Sequence, residues 1–201
     1  MSTPETGTNA FWRENSPDNP FRSLFLQVYI SRRITELAQA IIYETRAVNN
    51  DGLHLLIVLK GAAFFGCRLA QEIFRLNGPH IIINFAGALS YGKMTSSSGH
   101  CRITGNLNMF HGKDVVVVEN ICDTGLTLSL IKKRLADEGK PSSVKTCVLL
   151  DKPGNRRARF KKADPDFIDF KIPAIFVAGF GMDYAEKLME LPFIVAVSKQ
   201  D

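Results

Sequence analysis

The run Val115-Val116-Val117-Val118 constrains the fold more than any other feature of the chain. Four successive β-branched apolar residues leave no polar face, so they describe a strand covered on both sides, as in a parallel sheet flanked by helices. Glu119, Asn120, Ile121 and Cys122 follow. Asp123-Thr124-Gly125-Leu126-Thr127 then turns into a helical pattern at Leu128, Ile131, Lys132 and Leu135. Ligands of open parallel sheets sit at the carboxyl ends of the strands, where these polar residues stand.

The junction has the chemistry of an anion site. Gly125 lets the backbone approach an anion closely. The N–H groups of residues 124–127 are orphan donors of a helix start, where the helix dipole also favours negative charge. Thr124 and Thr127 add hydroxyl donors. Capping and turning alone account for Asp, Thr and Gly in such a loop. They do not account for a strand end and a loop that both offer groups for hydroxyls and anions. Neither a Walker loop nor a Gly-x-Gly-x-x-Gly run occurs, which points to a single phosphate on a sugar rather than a dinucleotide or nucleoside triphosphate.

Three further segments carry polar groups at strand ends. Lys60-Gly61 closes the apolar strand 53–59 and opens a helix over 63–76, a second anion cradle. Ser90-Tyr91-Gly92 leads into a polar run through His100 that is too poor in apolar residues to pack by itself. Leu149-Leu150-Asp151-Lys152 and the stretch from Ile175 to Tyr184 occupy the last third. Taken singly, Phe176 and Val177 read as core and Lys152 as a solvated surface charge.

Periodicity gives a helix over 21–46, strands over 53–59, 81–85, 115–118, 145–150, 167–170 and 175–177, and helices over 63–76 and 126–138. Alternation of strands and helices predicts an α/β protein with a doubly wound, mostly parallel sheet. Residues 1–20 read as a flexible tail and 21–201 as a single domain. A small hood, formed by the N-terminal helix region and about 165–201, would cover the strand ends. A chain of 201 residues, 45% hydrophobic and 22% charged, can bury a core of this kind. No apolar run is long enough to cross a bilayer, and the polar start is no signal peptide. Cys67, Cys101, Cys122 and Cys147 lack metal or CxxC spacing and suit reduced thiols in a cytoplasmic protein. Cys122 has no base near it in sequence, which favours packing over nucleophilic chemistry. The formal charge of +5 includes the basic run 155–162. That run could follow a nucleic-acid backbone, but a phosphorylated small substrate explains the charge as well.

Taken together and in this order, the four motifs resemble those of type I phosphoribosyltransferases, and more narrowly the hypoxanthine–guanine branch. The resemblance covers the chain from about Leu53 onward. It implies transfer of a 5-phosphoribosyl group from its 1-diphosphate to N9 of hypoxanthine or guanine, in purine salvage. Glu119, Asn120, Ile121, Cys122, Asp123, Thr124, Gly125, Leu126 and Thr127 would then bind the ribose phosphate, with Asp123 as general acid or base at N7. Lys60 and Gly61 would hold the diphosphate, with a cis peptide before the lysine. Ser90 and Tyr91 would belong to a lid. Lys152 would donate to the purine O6, Phe176 would stack on the base and the backbone of Val177 would read its edge. Mg²⁺ would be the cofactor, held by Glu119 and Asp183, and Arg156 or Arg157 would reach the diphosphate. The partners implied are the two small-molecule substrates and further copies of the chain in a homodimer or homotetramer, with neither nucleic acid nor membrane. Two positions depart from the pattern. Asn120 replaces the family's second acid, and Met189 stands where relatives often carry arginine. These departures keep a second expectation open, that of a catalytically weak, nucleotide-binding regulator or RNA-binding protein.

Overall fold

The structure, a computed structural model, describes residues 21–45, 52–91, 100–160 and 164–198. The expected tail over 1–20 and most of the expected lid, 92–99, lie outside the described residues. The elements run β1 (Phe21–Phe25), α1 (Gln27–Glu44), β2 (Leu53–Leu59), α2 (Ala63–Arg75), β3 (Ile81–Tyr91), β4 (His100–Thr104), β5 (Asp114–Cys122), α3 (Leu126–Arg134), β6 (Ser143–Asp151), β7 (Phe167–Lys171), β8 (Phe176–Ala178) and β9 (Ile194–Val197).

Six strands form the main sheet in the order β4-β3-β2-β5-β6-β7, parallel throughout except for the antiparallel pair β3/β4. The valine run behaves as its composition requires. Val116 and Val118 enter one core with Phe65, Leu69 and Ile73 of α2, while Val115 and Val117 enter another with Leu128 and Ile131 of α3. Each such buried side chain contributes about 1.5–3 kcal/mol relative to exposure. Helix α1 buries the stripe Ile30, Ile34, Leu37, Ala38 and Ile41 in the first of these cores.

From β2 the chain passes through α2 to β3 on one side, and from β5 it passes through α3 to β6 on the other. The carboxyl ends of the adjacent strands β2 and β5 therefore open a crevice at a topological switch point. Lys60-Gly61 and Asp123–Thr127 are the loops that leave these two ends.

Several expectations need correction. The helix expected from residue 21 begins only at Gln27, because Phe21–Phe25 is drawn into a three-stranded antiparallel sheet, order β1-β9-β8. Pairing with β9, a strand that periodicity does not reveal, overrides the local helical period. Periodicity does not reveal β4 either, nor the extension of β3 from 85 to Tyr91, where Gly87 through Tyr91 pair with Thr104 through His100. The strands expected at 167–170 and 175–177 lie in different sheets, since β7 ends the main sheet and β8 pairs with β9. The helix expected over 126–138 is α-helical only to Arg134 and closes in a π-helical turn, Leu135–Gly139. Among the described residues no helix is long and apolar enough to cross a membrane.

Candidate active site

The crevice holds a cavity of about 480 Å³ whose walls are the ends of β2 and β5 and the start of α3. Gly125 precedes α3 with φ +83°, a left-handed conformation that favours glycine. Thr124 Oγ1 accepts the Leu126 N–H at 3.4 Å, and residues 124 through Leu128 line the cavity. A helix start that lines a cavity in this way is a place where an anion can sit. Across the crevice stand Lys60 and Gly61, and the peptide bond between Leu59 and Lys60 is cis, as the resemblance implied.

Asp123, in the cavity wall, meets Lys152, which follows β6. Lys152 Nζ lies 3.3 Å from Asp123 Oδ2, and Asn155 Nδ2 donates to Asp123 Oδ1 at 2.9 Å. The expectation of Lys152 as a solvated charge fails, because the residue is only 6% exposed. Asp123 keeps a side-chain exposure of 43%, so its carboxylate remains open to a ligand. Lys152 follows β6, whose Asp151 pairs in register with Cys122 of β5, and the Lys152 N–H donates to the Cys122 carbonyl at 2.9 Å. Parallel pairing of β5 and β6 therefore brings a lysine and an aspartate from distant parts of the chain to one point.

Arg156 does not reach for a diphosphate. Its guanidinium is buried and donates to the carbonyls of Cys122 and Asp123 at 2.8 and 2.6 Å and to the Asp151 carboxylate. The arginine is a clamp on the ends of β5 and β6. Arg157 contributes a backbone N–H to the Thr124 carbonyl at 3.3 Å. Cys122 is buried and its thiol is pushed up to about 12, chiefly by desolvation, which leaves it inert as a nucleophile.

Glu119 and Asn120 divide their roles between the two faces of β5. Glu119 lines the cavity, and burial pushes its carboxyl up to about 8 despite the Asn120 N–H donated to Oε1 at 3.1 Å. Asn120 points elsewhere. It is 1% exposed and its Nδ2 donates to the Phe180 carbonyl at 2.8 Å, and it is absent from the cavity wall. Alternation of side chains along a strand is the reason: if Glu119 meets the cavity, its neighbour must face away.

The sheet β1-β9-β8 lies outside the cavity lining and meets the Lys60-Gly61 loop through the turn after β8. Val177 is buried as core, but β8 is an edge strand. Phe176, expected in the core as an isolated residue, is 41% exposed and packs edge-to-face on Tyr184, which does the same with Phe21. The turn after β8 passes close to the Lys60-Gly61 loop. A Cβ on Gly181 would lie 2.0 Å from the Gly61 carbonyl oxygen, and Gly181 has φ +94°. The Gly181 N–H donates to the Met189 carbonyl, so position 189 serves the hairpin through its backbone. Ser90 and Tyr91 end β3, where they pair with Cys101 and His100 of β4, while the rest of that motif lies outside the described residues.

The two expected metal ligands are arranged unequally. Asp183 is exposed, is absent from the cavity wall, and its Oδ2 accepts the Glu186 N–H at 3.1 Å. Among the described residues no cluster of three His, Cys, Asp or Glu could hold an ion. A donor set of one or two carboxylates fits a hard ion that takes most of its ligands from substrate phosphates and water, as Mg²⁺ does. The burial that disfavours the charge of the Glu119 carboxyl also fits a place that receives a cation or a sugar diol.

The comparisons agree with this geometry. The family model described as phosphoribosyl transferase domain matches residues 27–185. The chain is 38% identical over 169 residues to the hypoxanthine-guanine phosphoribosyltransferase of Mycobacterium tuberculosis, covering 82% of this chain and 80% of that one. It is 37% identical over 167 residues to the enzyme of the same name from Bacillus subtilis, covering 82% and 86%. Among solved structures, the hypoxanthine phosphoribosyltransferase of Trypanosoma cruzi in complex with the product IMP aligns with a TM-score of 0.76 and 34% identity, over 87% of this chain and 92% of that one. Cavity at a helix start, carboxylate–lysine pair and sequence likeness converge, and the chain belongs to the phosphoribosyltransferase family, in its hypoxanthine–guanine branch.

Proposed function

We propose that the chain transfers the 5-phosphoribosyl group of 5-phosphoribosyl 1-diphosphate to N9 of hypoxanthine or guanine, releasing diphosphate and forming IMP or GMP. The observation that carries this reading is the Asp123–Lys152 pair at 3.3 Å, whose aspartate lines the same cavity as Thr124–Thr127. Purine O6 and N7 lie on one edge of the ring, so an ammonium donor and a carboxylate side by side match that edge. A helix start in the wall of the same cavity matches the 5′-phosphate of the same nucleotide.

In this reading Asp123 takes or returns the N7 proton, while Lys152 donates to O6. Phe176 stacks on the base from the hood, and the edge-strand backbone at Val177 borders its pyrimidine side. The helix N-terminus at Gly125 holds the 5′-phosphate. Lys60 and the Gly61 backbone bind the leaving diphosphate, which is electrostatic stabilisation of the charge that builds there. Glu119 accepts from the ribose 2′- and 3′-hydroxyls, and Ser90 and Tyr91 close over the diphosphate to keep water from the oxocarbenium-like sugar. When bound, Mg²⁺ supplies charge neutralisation on the diphosphate, and Glu119 and Asp183 are the residues that would hold it.

Further copies of the chain are the proposed protein partner, in a homodimer or homotetramer. Exposed Phe64 and Phe74 on α2 and exposed Ile83 and Phe85 on β3 support it, and sedimentation of the purified protein tests it. Four free cysteines support a reducing, cytoplasmic setting.

The test is an assay of purified protein with Mg²⁺, phosphoribosyl diphosphate and each of hypoxanthine, guanine and xanthine. Diphosphate release with hypoxanthine or guanine is expected. No release with any base overturns the reading.

A further inference from the structure

We propose that Asn155 is a positioning residue for Asp123, the group that sets the direction of its carboxylate once the purine engages Lys152. The inference rests on the acid–base reading of Asp123 above. It begins with how the carboxylate is held. Each oxygen has one donor: Lys152 Nζ on Oδ2 at 3.3 Å and Asn155 Nδ2 on Oδ1 at 2.9 Å. The backbone of the same residue is fixed separately, through the Arg156 bonds to the carbonyls of Cys122 and Asp123. Lys152, Asn155 and Arg156 thus bracket Asp123 from a single tight turn, Pro153–Asn155, which is closed by the Asn155 N–H on the Lys152 carbonyl at 3.0 Å.

The division of labour follows from what the substrate does to each donor. A 6-oxopurine brings an oxygen that competes for the Lys152 ammonium, so the lysine must serve two acceptors. Asn155 has no acceptor on the purine edge to serve in this reading, and its amide stays with Asp123. An aspartate with 43% of its side chain exposed has rotamers to lose, and a fixed donor on one oxygen removes them before the reaction. Each carboxylate oxygen has a second lone-pair direction left open, so the hold does not block N7. Asn155 is neutral, which lets it orient the carboxylate without cancelling the charge that attracts the proton. It also lines the cavity beside Asp123, so its amide meets the reaction space rather than the core.

Variants N155A, N155D and N155Q, set beside D123N, test this with kcat, both KM values and the pH profile of kcat/KM for the purine. N155A is expected to lower kcat about tenfold, the scale of a misdirected catalytic group, with KM for phosphoribosyl diphosphate within about twofold of wild type. N155D keeps the shape but loses the donor and places a second carboxylate beside Asp123. It is expected to fall below N155A at neutral pH and to move the acid limb of the profile upward, because two adjacent carboxyls share a proton. N155Q, which offers the donor on a longer arm, is expected to recover part of the loss. Thermal melts confirm that each variant is folded, and the isosteric N155D keeps the test open where N155A loosens the turn. A crippled D123N beside an N155D with wild-type kcat and a superposable profile overturns this inference alone. Wild-type turnover in D123N overturns the acid–base reading and this inference with it.

Discussion

Asn120 Nδ2 donates to the carbonyl oxygen of Phe180 at 2.8 Å, so an amide near the end of β5 grips the turn after β8. The consequence is a kinetic signature. N120A removes the donor and leaves a buried carbonyl unpaired, at a cost of about 1–3 kcal/mol. Because Phe180 follows β8, which carries Phe176 and Val177, KM for the purine should rise several-fold while KM for phosphoribosyl diphosphate stays near wild type. A rise confined to phosphoribosyl diphosphate would assign Asn120 to the ribose.

Gly181 sits at the same seam. Its φ is +94°, and any Cβ placed there would stand only 2.0 Å from the Gly61 carbonyl oxygen, so no side chain fits against this stretch of backbone. G181A is expected to lower stability by about 2 kcal/mol or more and to raise KM for both substrates, because Gly61 lies in the loop proposed to hold the diphosphate. Urea titration and steady-state kinetics read the two effects. A variant with unchanged stability shows that the seam can open freely.

Glu119 is an acid kept in a place that disfavours its charge. Replacing it with the neutral isostere in E119Q should raise the melting temperature of the ligand-free protein at neutral or higher pH, by about 2–4 °C, while turnover falls at least tenfold. Differential scanning calorimetry and the diphosphate-release assay suffice. Lower melting temperature together with full turnover would mean that Glu119 serves the fold and not the substrate.

The legible part of the fold is the part in which local pattern and tertiary environment agree. The valine run, covered on both faces, and the helix over 63–76 announce themselves through composition and period. β1 and β9 do not, because a five-residue and a four-residue strand carry little period of their own and exist through pairing with each other. In the site, Asp123, Lys152 and Gly125 are visible as chemistry-bearing residues at strand ends. Asn155 and Arg156 read only as members of a basic run, since nothing in the order Lys-Pro-Gly-Asn-Arg says that the turn folds back onto Asp123. The bond from Asn120 to Phe180 escapes the sequence for a simpler reason. The motif reads as a continuous surface, whereas a strand shows alternate residues to opposite faces.

Asp169 gives the fold a pH dependence remote from the substrates. It lies on β7 with its side chain fully buried, 3.2 Å from Arg33 Nε of α1, and Arg33 also donates to the Asp169 carbonyl at 2.6 Å. Desolvation wins over the arginine, and the carboxyl is pushed from 3.8 to about 7. The folded form therefore binds a proton that the unfolded form has released, and between about pH 4 and pH 7 stability falls as pH rises. D169N cannot titrate. Its denaturation midpoint relative to wild type should improve across that window by an amount on the order of 2 kcal/mol and level off above about pH 7. R33M works in the opposite sense, since it strips the counter-charge and should cost more at pH 8 than at pH 5. Urea midpoints of the three proteins at half-unit pH steps decide it. A difference between D169N and wild type that does not change between pH 4 and pH 7 would show that Asp169 titrates alike in the folded and unfolded chain.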